Sequence, residues 1–359
     1  MTFFKQFFAF ILLFLAVFSF ANEKYEVVLL GDLHYDAEDI RVGVDKLPGY
    51  RKREMNRNIQ AWQKNIPDML TAASTYAAQP SVLFTVQCGD ITQGDEGKYE
   101  FARTSFERVL KIVNQNQKKS VYVVRGNHDV RGTGKEKAGN EVITEYMQKQ
   151  GVTFPLPGKD QTSYKIVGKD LFIFFDSMKE SVEALELALK AKPDARHVFL
   201  FCHIPMMPCT FTTSSFGWIC GRYSKNGDKI RALLAKHKVI VLAAHTHVTS
   251  YFHWNLPEGP IRQFVSFSIV RNPDVKAAMV KFTGEGYFRF FDEKIIPGLK
   301  EKDAAAFRKV RQRYIGKLDK CVQYKGAAGF NVLRIEGDKV FVDIYSGDLS
   351  KKSYTQAID

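Results

Sequence analysis

Cysteine is scarce in this chain, with 5 residues among 359, which excludes a small secreted scaffold held together by disulfides. Hydrophobic residues make up 45% of the sequence and charged residues 25%, so a chain of this length can bury a large core without such bonds. Internal repeats and low-complexity segments are also absent. The composition therefore describes one large domain, or a domain with an appendage.

Long apolar runs are lacking after residue 21, so the sequence predicts no transmembrane helix in the mature chain. Residues 1–21 differ from the rest, because Lys5 is their only charge and residues 7–20 are almost continuously apolar. This pattern predicts a secretory signal peptide cleaved after Ala21, and hence an exported, periplasmic or secreted protein. The alternative is an uncleaved N-terminal anchor, although the run of about 14 residues is shorter than the roughly 20 that span a bilayer.

Acidic residues are outnumbered, since 52 Lys and Arg face 39 Asp and Glu, giving a formal net charge of +13. A basic surface attracts anions such as nucleotides, phospholipids or nucleic acid. The positive charges are scattered along the chain, which favours a solvated surface over a dedicated nucleic-acid site. No specific nucleic-acid site is therefore predicted.

Export implies an oxidising compartment, in which cysteine pairs can form disulfides. Cys209 and Cys220 would close a short loop, and we predict that they form a disulfide worth about 2–3 kcal/mol of chain entropy. Cys88 and Cys202 each end an apolar run, which indicates buried, inert thiols. Five cysteines leave at least one unpaired.

Short apolar runs alternate with amphipathic stretches from residue 25 to about 247, which predicts an α/β layered fold. The predicted strands are 25–30, 82–86, 121–124, 171–175, 198–201 and 239–243. The predicted helices are 57–78, 96–115, 180–192 and 226–237. A hairpin of 164–167 with 171–175 indicates that the sheet system is mixed.

The pattern changes after residue 247, where strands predominate. The predicted elements there are strands 251–254, 263–270, 278–282 and 287–291, a charged helix 298–317, and a hairpin 329–345. We divide the chain into the signal peptide 1–21, a main domain 22–270, and an extension 271–359. The extension is expected to pack on the main domain or to complete it.

Metal-binding side chains follow directly after five of the predicted strands. These segments are Asp32-Leu33-His34, Gly89-Asp90, Gly126-Asn127-His128-Asp129, His203, and His245-Thr246-His247. Each segment alone is weak, since a Gly-Asp pair is usually a turn and a lone histidine is usually structural. Ligand sites gather outside the carboxyl ends of strands in α/β sheets, so all five segments are expected to converge on one crevice.

In order and spacing, the five segments resemble the motifs of the calcineurin-like metallophosphoesterases over residues 25–250. The resemblance implies a fold of two mixed β-sheets packed as a sandwich flanked by helices. Two departures stand out. Ala244 replaces a usual glycine, and Gln93 occupies the position of the tyrosine ligand of purple acid phosphatases, which argues against a ferric-tyrosinate site.

The resemblance also implies a role for each position. One metal would be held by Asp32, His34 and His247, and the other by Asn127, His203 and His245. Asp90 would bridge the two metals, His128 would be the general acid, and Asp129 would orient it.

Carboxylate, amide and imidazole ligands without thiolates suit a pair of Mn, Fe, Zn or Co ions. Such a pair clamps the attacking and leaving oxygens of a displacement at phosphorus and generates a bridging hydroxide near neutral pH. The sequence therefore predicts an exported hydrolase of phosphomonoesters or phosphodiesters, acting on a phosphorylated small molecule, nucleotide or lipid-derived compound. The alternative is a catalytically silent binding module on the same fold. An amide hydrolase is disfavoured because no His-Glu-x-x-His motif is present.

Two segments beside the motifs could shape the substrate site. Residues 35–57 are basic and form either a phosphate-binding loop or a solvated one. Residues 204–223 carry Phe211, Phe216, Trp218 and Tyr223, which either stack on a leaving group or pack into the core.

Overall fold

Two β-sheets carry the fold, and most of their strands coincide with the apolar runs of the sequence. The computed structural model describes residues 24–115, 117, 119–209, 224–266, 280–283, 301–325 and 328–358. The strands predicted at 25–30, 82–86 and 198–201 are confirmed to within a residue at either end. The strand predicted at 287–291 lies outside the described residues.

The described residues contain strands of three to eight residues. They are β1 Lys24–Leu30, β2 Val82–Gln87, β3 Val121–Val123, β4 Ser163–Val167, β5 Asp170–Phe174, β6 Val198–Phe201, β7 Ile240–Ala243, β8 Thr249–Leu256, β9 Gly259–Val265, β10 Val280–Thr283, β11 Leu318–Lys325, β12 Gly329–Glu336, β13 Lys339–Ser346 and β14 Tyr354–Ala357. The α-helices are α1 Gly49–Lys64, α2 Ile66–Ala77, α3 Tyr99–Asn114, α4 Lys135–Lys149, α5 Val182–Lys190, α6 Gly227–Lys236 and α7 Glu301–Tyr314.

The first sheet has the order β14-β13-β12-β1-β2-β3. Strands β1, β2 and β3 run parallel, whereas β12 pairs antiparallel with β1 and places Val332 opposite Val28. The C-terminal hairpin therefore lies in the same sheet as the first strand. The predicted boundary at residue 270 lies outside the described residues and stays a prediction.

The second sheet has the order β10-β11-β8-β9-β7-β6-β5-β4. Its central strands β5, β6, β7 and β9 are parallel, and the flanking pairs are antiparallel. Both sheets are mixed, so the predicted α/β class with two mixed sheets is confirmed. In both sheets, parallel strands end on the side where the metal-binding segments begin.

Alternating side chains of the second sheet face two different cores, as the two-residue period of a strand requires. Phe172, Phe174, Phe199 and Phe201 lie in the core shared with the first sheet. Their neighbours along the chain, such as Leu200, pack in a second core with α5 and α6. The central strands of the second sheet therefore pack against a hydrophobic core on both faces.

The helices differ from the sequence predictions in two places. The helix predicted at 57–78 is two helices, because Pro67 lies in the first turn of α2, lacks an N–H group and cannot continue α1. Helix α4 is not among the predicted helices, and its buried face includes the small residues Ala138 and Gly139 beside Ile143. None of the helices that the structure describes is long and apolar enough to cross a membrane.

Candidate metal centre

All seven predicted ligands converge where the two sheets present the carboxyl ends of β1, β2, β3, β6 and β7. Neighbouring strands supply neighbouring segments, since β1, β2 and β3 adjoin in one sheet and β6 and β7 adjoin in the other. The predicted ligands therefore lie at the carboxyl ends of strands from both sheets, as expected for a ligand site in an α/β fold.

Asp32, His34 and His247 form the first cluster of donor atoms. The Nε2 atoms of His34 and His247 are 3.4 Å apart, and Asp32 Oδ1 is 3.6 Å from His247 Nε2. Two donors bound at 2.0–2.2 Å to one ion with angles near 90–110° lie about 2.8–3.6 Å apart. Two of the three donor pairs fall in this range, and the third, Asp32 Oδ1 with His34 Nε2, is wider at 4.0 Å.

The second cluster is centred on His203. Its Nε2 atom lies 3.1 Å from Asn127 Oδ1, 3.1 Å from His245 Nδ1 and 3.2 Å from Asp90 Oδ2. The other ring nitrogen of His203 donates to the carbonyl of Cys88 at 3.0 Å. That hydrogen bond fixes the tautomer and directs the Nε2 lone pair at the cluster, as is usual for a metal-binding histidine.

Asp90 lies between the two clusters. Its Oδ2 atom is 3.2 Å from His203 Nε2 and 3.8 Å from His34 Nε2, so it faces one imidazole of each cluster. Its Oδ1 atom accepts from the backbone N–H of His128 at 2.7 Å, which fixes the carboxylate. This is the position that a bridging ligand requires.

Asp32 carries a buried oxygen that shows what the site needs. Among the described residues, Oδ1 has no hydrogen-bond partner, although the Nε2 atoms of His34, His203 and His247 lie 4.0, 3.8 and 3.6 Å away. A buried carboxylate oxygen without a partner is costly. A cation amid these donors would supply the missing partner, so the residues fit a divalent metal.

The ionisation of the cluster reflects burial together with mutual contact. Burial raises the pKa of Asp90 to about 6, with His203 opposing this shift. Burial lowers the pKa of His203, but Asp90 and Asp32 outweigh it and raise that pKa to about 9. Burial and the neighbouring histidines lower the pKa of His34 well below its usual range. Neutral imidazoles and ionised carboxylates are the forms that bind metal, so a metal ion would displace the proton that Asp90 and Asp32 favour on His203.

Backbone strain is concentrated at the ligands. His34, Asp90, His245 and His247 have φ values of 49°, 51°, 69° and 56°, in the left-handed region that side chains other than glycine rarely adopt. Strain of this kind persists only where surrounding structure enforces it, and it gathers at functional sites.

Two glycines of the motifs are required by close approach. A Cβ atom on Gly126 would lie 2.2 Å from Asp90 Oδ1, and one on Gly89, where φ is 91°, would lie 2.6 Å from the Cβ of His203. Ala244, which departs from the family pattern, is not among the residues with positive φ. An alanine is therefore compatible with the backbone there.

His128 lies beside the clusters and is fixed by a neighbour that the sequence did not indicate. Its Nδ1 atom donates to the carbonyl of Gln93 at 2.7 Å, so Nε2 is the atom free to face the site. Arg131 Nη1 lies 3.2 Å from Nε2, and Glu54 Oε1 lies 3.7 Å from it. Burial and Arg131 lower the pKa of His128 well below its usual range.

Asp129 does not orient His128 directly, and that prediction needs correction. Its Oδ1 atom accepts from the backbone N–H of Thr92 at 3.0 Å and from the hydroxyl of Thr92 at 2.8 Å. Its Oδ2 atom accepts from the N–H groups of Gly126 at 2.9 Å and Ile91 at 3.3 Å. The Asp129 carboxylate therefore ties the two ligand loops together, and the Gln93 carbonyl holds the imidazole.

Of the two flanking segments, 35–57 is described in full and 204–223 only as far as residue 209. In 35–57, Arg41 pairs with Asp36, and Arg51 lies 3.0 Å from Asp95 Oδ1, so these two cations have partners within the chain. In 204–223, residues 204–209 are buried. Phe211, Phe216, Trp218, Tyr223 and Cys220 lie outside the described residues, so the Cys209–Cys220 disulfide and the role of the aromatic side chains stay predictions.

Comparisons with known proteins agree with this architecture. The structure is similar to that of a dimetal phosphatase from Danio rerio, with a TM-score of 0.53 and 12% identity, covering 94% of this chain and 99% of that one. It is also similar to a structure described as PhoD, with a TM-score of 0.51 and 10% identity over 94% and 72% of the two chains. At these identities the likeness shows the fold alone. No curated protein sequence gives a match.

The sequence model of the calcineurin-like phosphoesterases matches residues 25–249, and the chain belongs to that family. Membership of this family, together with paired clusters of metal-binding side chains at the strand ends, defines a metal-dependent phosphoric ester hydrolase with a binuclear divalent centre.

Proposed function

We propose that this chain is an exported two-metal phosphoesterase that hydrolyses a phosphomonoester or phosphodiester. The observation that carries the proposal is Asp32 Oδ1, a buried carboxylate oxygen that faces three imidazole nitrogens at 3.6–4.0 Å without a hydrogen-bond partner among the described residues. Such a cluster is stable when cations lie among its donors.

The ligands fall into two sets that share Asp90. The first is Asp32, His34 and His247, and the second is Asn127, His203 and His245. When bound, the two ions supply Lewis-acid activation of water and neutralise charge on the phosphoryl group. The chain orients these ligands through fixed hydrogen bonds, such as that from His203 Nδ1 to the Cys88 carbonyl.

His128 is proposed as the general acid, acting at Nε2. The Gln93 carbonyl occupies Nδ1, so Nε2 is the atom that would carry a proton to the leaving oxygen. In this structure Arg131 Nη1 donates toward Nε2, and the ring is therefore a neutral acceptor. Protonation of Nε2 requires Arg131 to turn away from it.

The test is metal content together with hydrolysis. We expect the purified protein to carry two metal ions per chain and to hydrolyse p-nitrophenyl phosphate or its bis ester. Asp90→Ala should lose both properties because Asp90 serves both clusters, whereas Asp348→Ala, which removes an exposed carboxylate, should keep them. Full activity in metal-depleted Asp90→Ala protein would refute the proposal, and a protein without a metal pair or turnover would indicate the silent binding module.

The acid role has its own test. His128→Ala should reduce hydrolysis of esters with poor leaving groups more than hydrolysis of activated nitrophenyl esters, because only poor leaving groups need a proton. An equal loss on both kinds of ester would count against this role.

A further inference from the structure

Arg131 presents a guanidinium group directly beside the proposed metal centre. Its Nη1 atom is 3.2 Å from His128 Nε2 and 2.9 Å from Glu54 Oε2. Its Nε atom is 2.9 Å from Asp95 Oδ2, and Nη2 donates to the Gln93 carbonyl at 3.3 Å. The guanidinium thus contacts Asp95 and the Gln93 carbonyl through Nε and Nη2, and His128 and Glu54 through Nη1.

One side of the guanidinium is an anchor. Asp95 is buried, its backbone N–H donates to the carbonyl of Arg131 at 2.9 Å, and Arg51 holds its other carboxylate oxygen at 3.0 Å. The Gln93 carbonyl is fixed as well, because it also accepts from His128. The Nε contact with Asp95 is an ion pair without hydrogen-bond alignment, so the Nε and Nη2 contacts limit the movement of the guanidinium but allow a small shift.

The other side carries a displaceable partner. The side chain of Glu54 lies on α1 and is 27% exposed, although its Oε2 atom is buried against Arg131. Turning this side chain outward would bring its carboxylate into water. Its two oxygens face Arg131 Nη1 at 2.9 Å and His128 Nε2 at 3.7 Å. A carboxylate and a phosphate present matching oxygen pairs to a guanidinium. Glu54 thus marks a place where an anionic oxygen is accepted beside the metal centre.

We propose that Arg131 is a substrate-binding residue whose Nη1 edge holds a non-bridging oxygen of the substrate phosphate, and that Glu54 is the resting counter-ion which this phosphate displaces. This inference rests on the proposed phosphoesterase function and deepens it. Phosphate binding would also draw Arg131 away from His128 and break the hydrogen bond that Arg131 Nη1 donates to His128 Nε2 in the resting state.

The exchange favours a class of substrate. Displacing Glu54 costs an ion pair, and a phosphomonoester of charge about −1.5 to −2 at neutral pH repays that cost better than a singly charged diester does. A monoester also offers one more non-bridging oxygen for Arg131. The substrate class inferred is therefore a terminal phosphomonoester.

The experiment compares Arg131→Gln and Arg131→Lys with Arg51→Gln, which removes the other cation on Asp95. We expect Arg131→Gln to raise the dissociation constant of inorganic phosphate and the KM of p-nitrophenyl phosphate about 10- to 100-fold, as for loss of a charge-assisted hydrogen bond. The bis ester should lose less. Arg131→Lys should recover part of the loss, and Arg51→Gln should lose less than Arg131→Gln because it removes only the second cation on Asp95.

Phosphate binding is measured calorimetrically on metal-loaded protein, with metal content and unfolding temperature recorded for every variant. If Arg131 only supports the 93–97 loop, Arg51→Gln and Arg131→Gln should lose metal and stability alike, which would overturn the inference. Unchanged phosphate binding in Arg131→Gln, or no phosphate binding by wild type, would overturn it as well. An equal loss on monoester and diester would overturn the substrate class.

Glu54→Gln should not weaken phosphate binding as Arg131→Gln does. Removing the counter-ion should tighten phosphate binding or leave it unchanged, whereas weaker binding would show that Glu54 does not compete with phosphate. A wild-type protein that binds phosphate but hydrolyses neither ester would refute the proposed function. Loss of that binding in Arg131→Gln would still support the assignment of Arg131.

Discussion

Replacing Asp129 should destabilise the metal centre as a whole instead of impairing proton transfer alone. Its carboxylate is fully buried and accepts four hydrogen bonds from Ile91, Thr92 and Gly126 at 2.8–3.3 Å. Ile91 and Thr92 follow the predicted ligand Asp90, and Gly126 precedes the predicted ligand Asn127. The carboxylate therefore sets the spacing between two ligand loops.

The magnitude follows from the donors left behind. Asp129→Ala leaves three buried backbone N–H groups without an acceptor, and each such group costs about 1–3 kcal/mol. Water entering the space of the carboxylate reduces the sum, so we expect a loss of roughly 3–5 kcal/mol in the free energy of unfolding. A domain of ordinary stability, about 5–15 kcal/mol, would remain folded after such a loss.

The assay is urea unfolding of the metal-free protein, together with metal content after reloading. Thr92→Val is the matched control because it removes only the hydroxyl donor, and it should cost about 1 kcal/mol. Asp129→Asn should lose far more than this control, since its amide donors would face the N–H groups of Ile91 and Gly126. An Asp129→Ala protein with wild-type stability and metal content but a lowered kcat would refute this reasoning and restore a direct role on His128.

Three further predictions concern other parts of the chain. Gly126→Ala should lower metal affinity about 10- to 100-fold, because its Cβ would displace Asp90, whereas Gly316→Ala meets open space and should bind metal normally in a titration. Arg125→Met should lower the urea-unfolding free energy by about 3–5 kcal/mol, because it leaves buried Asp176, now 2.6 Å from Arg125 Nη2, without its cation; a loss under 1 kcal/mol would contradict this. Mass spectrometry of exported protein should find an N-terminus directly after Ala21, and an intact residue 1 would indicate the uncleaved anchor.

The sequence predicts the strands better than the helices for a physical reason. Central parallel strands are buried on both faces, so they appear as apolar runs that no surface requirement interrupts. Helix α4 is not predicted because two of the residues on its buried face, Ala138 and Gly139, are small and contribute little to an apolar helical pattern. Strand β14, Tyr354–Ala357, is an edge strand without an apolar pattern, and only its pairing with β13 defines it.

The predicted ligands are recognisable in the sequence because each follows a strand directly in the chain. The partners of His128 are not, because they depend on tertiary structure. Asp129 is adjacent to His128 in sequence, but consecutive residues of a helical turn point in different directions. Glu54 lies more than seventy positions upstream on a helix whose charged face resembles an ordinary solvated surface. Arg131 lies three residues past His128 in the sequence, but this proximity alone does not predict that the two side chains are in contact.

The strained ligands explain why the centre needs both sheets. A left-handed conformation costs roughly 1–2 kcal/mol for a residue other than glycine, and four of the ligands adopt it. No single loop can hold its residues in such a costly conformation, but hydrogen bonds between loops that follow different strands can. The backbone N–H of His245, after β7, donates to Asp32 Oδ2, after β1, and the imidazole of His203, after β6, donates to the carbonyl of Cys88, after β2. Each contact joins one sheet to the other, so the packing of the sandwich core is what holds the ligands in their strained positions.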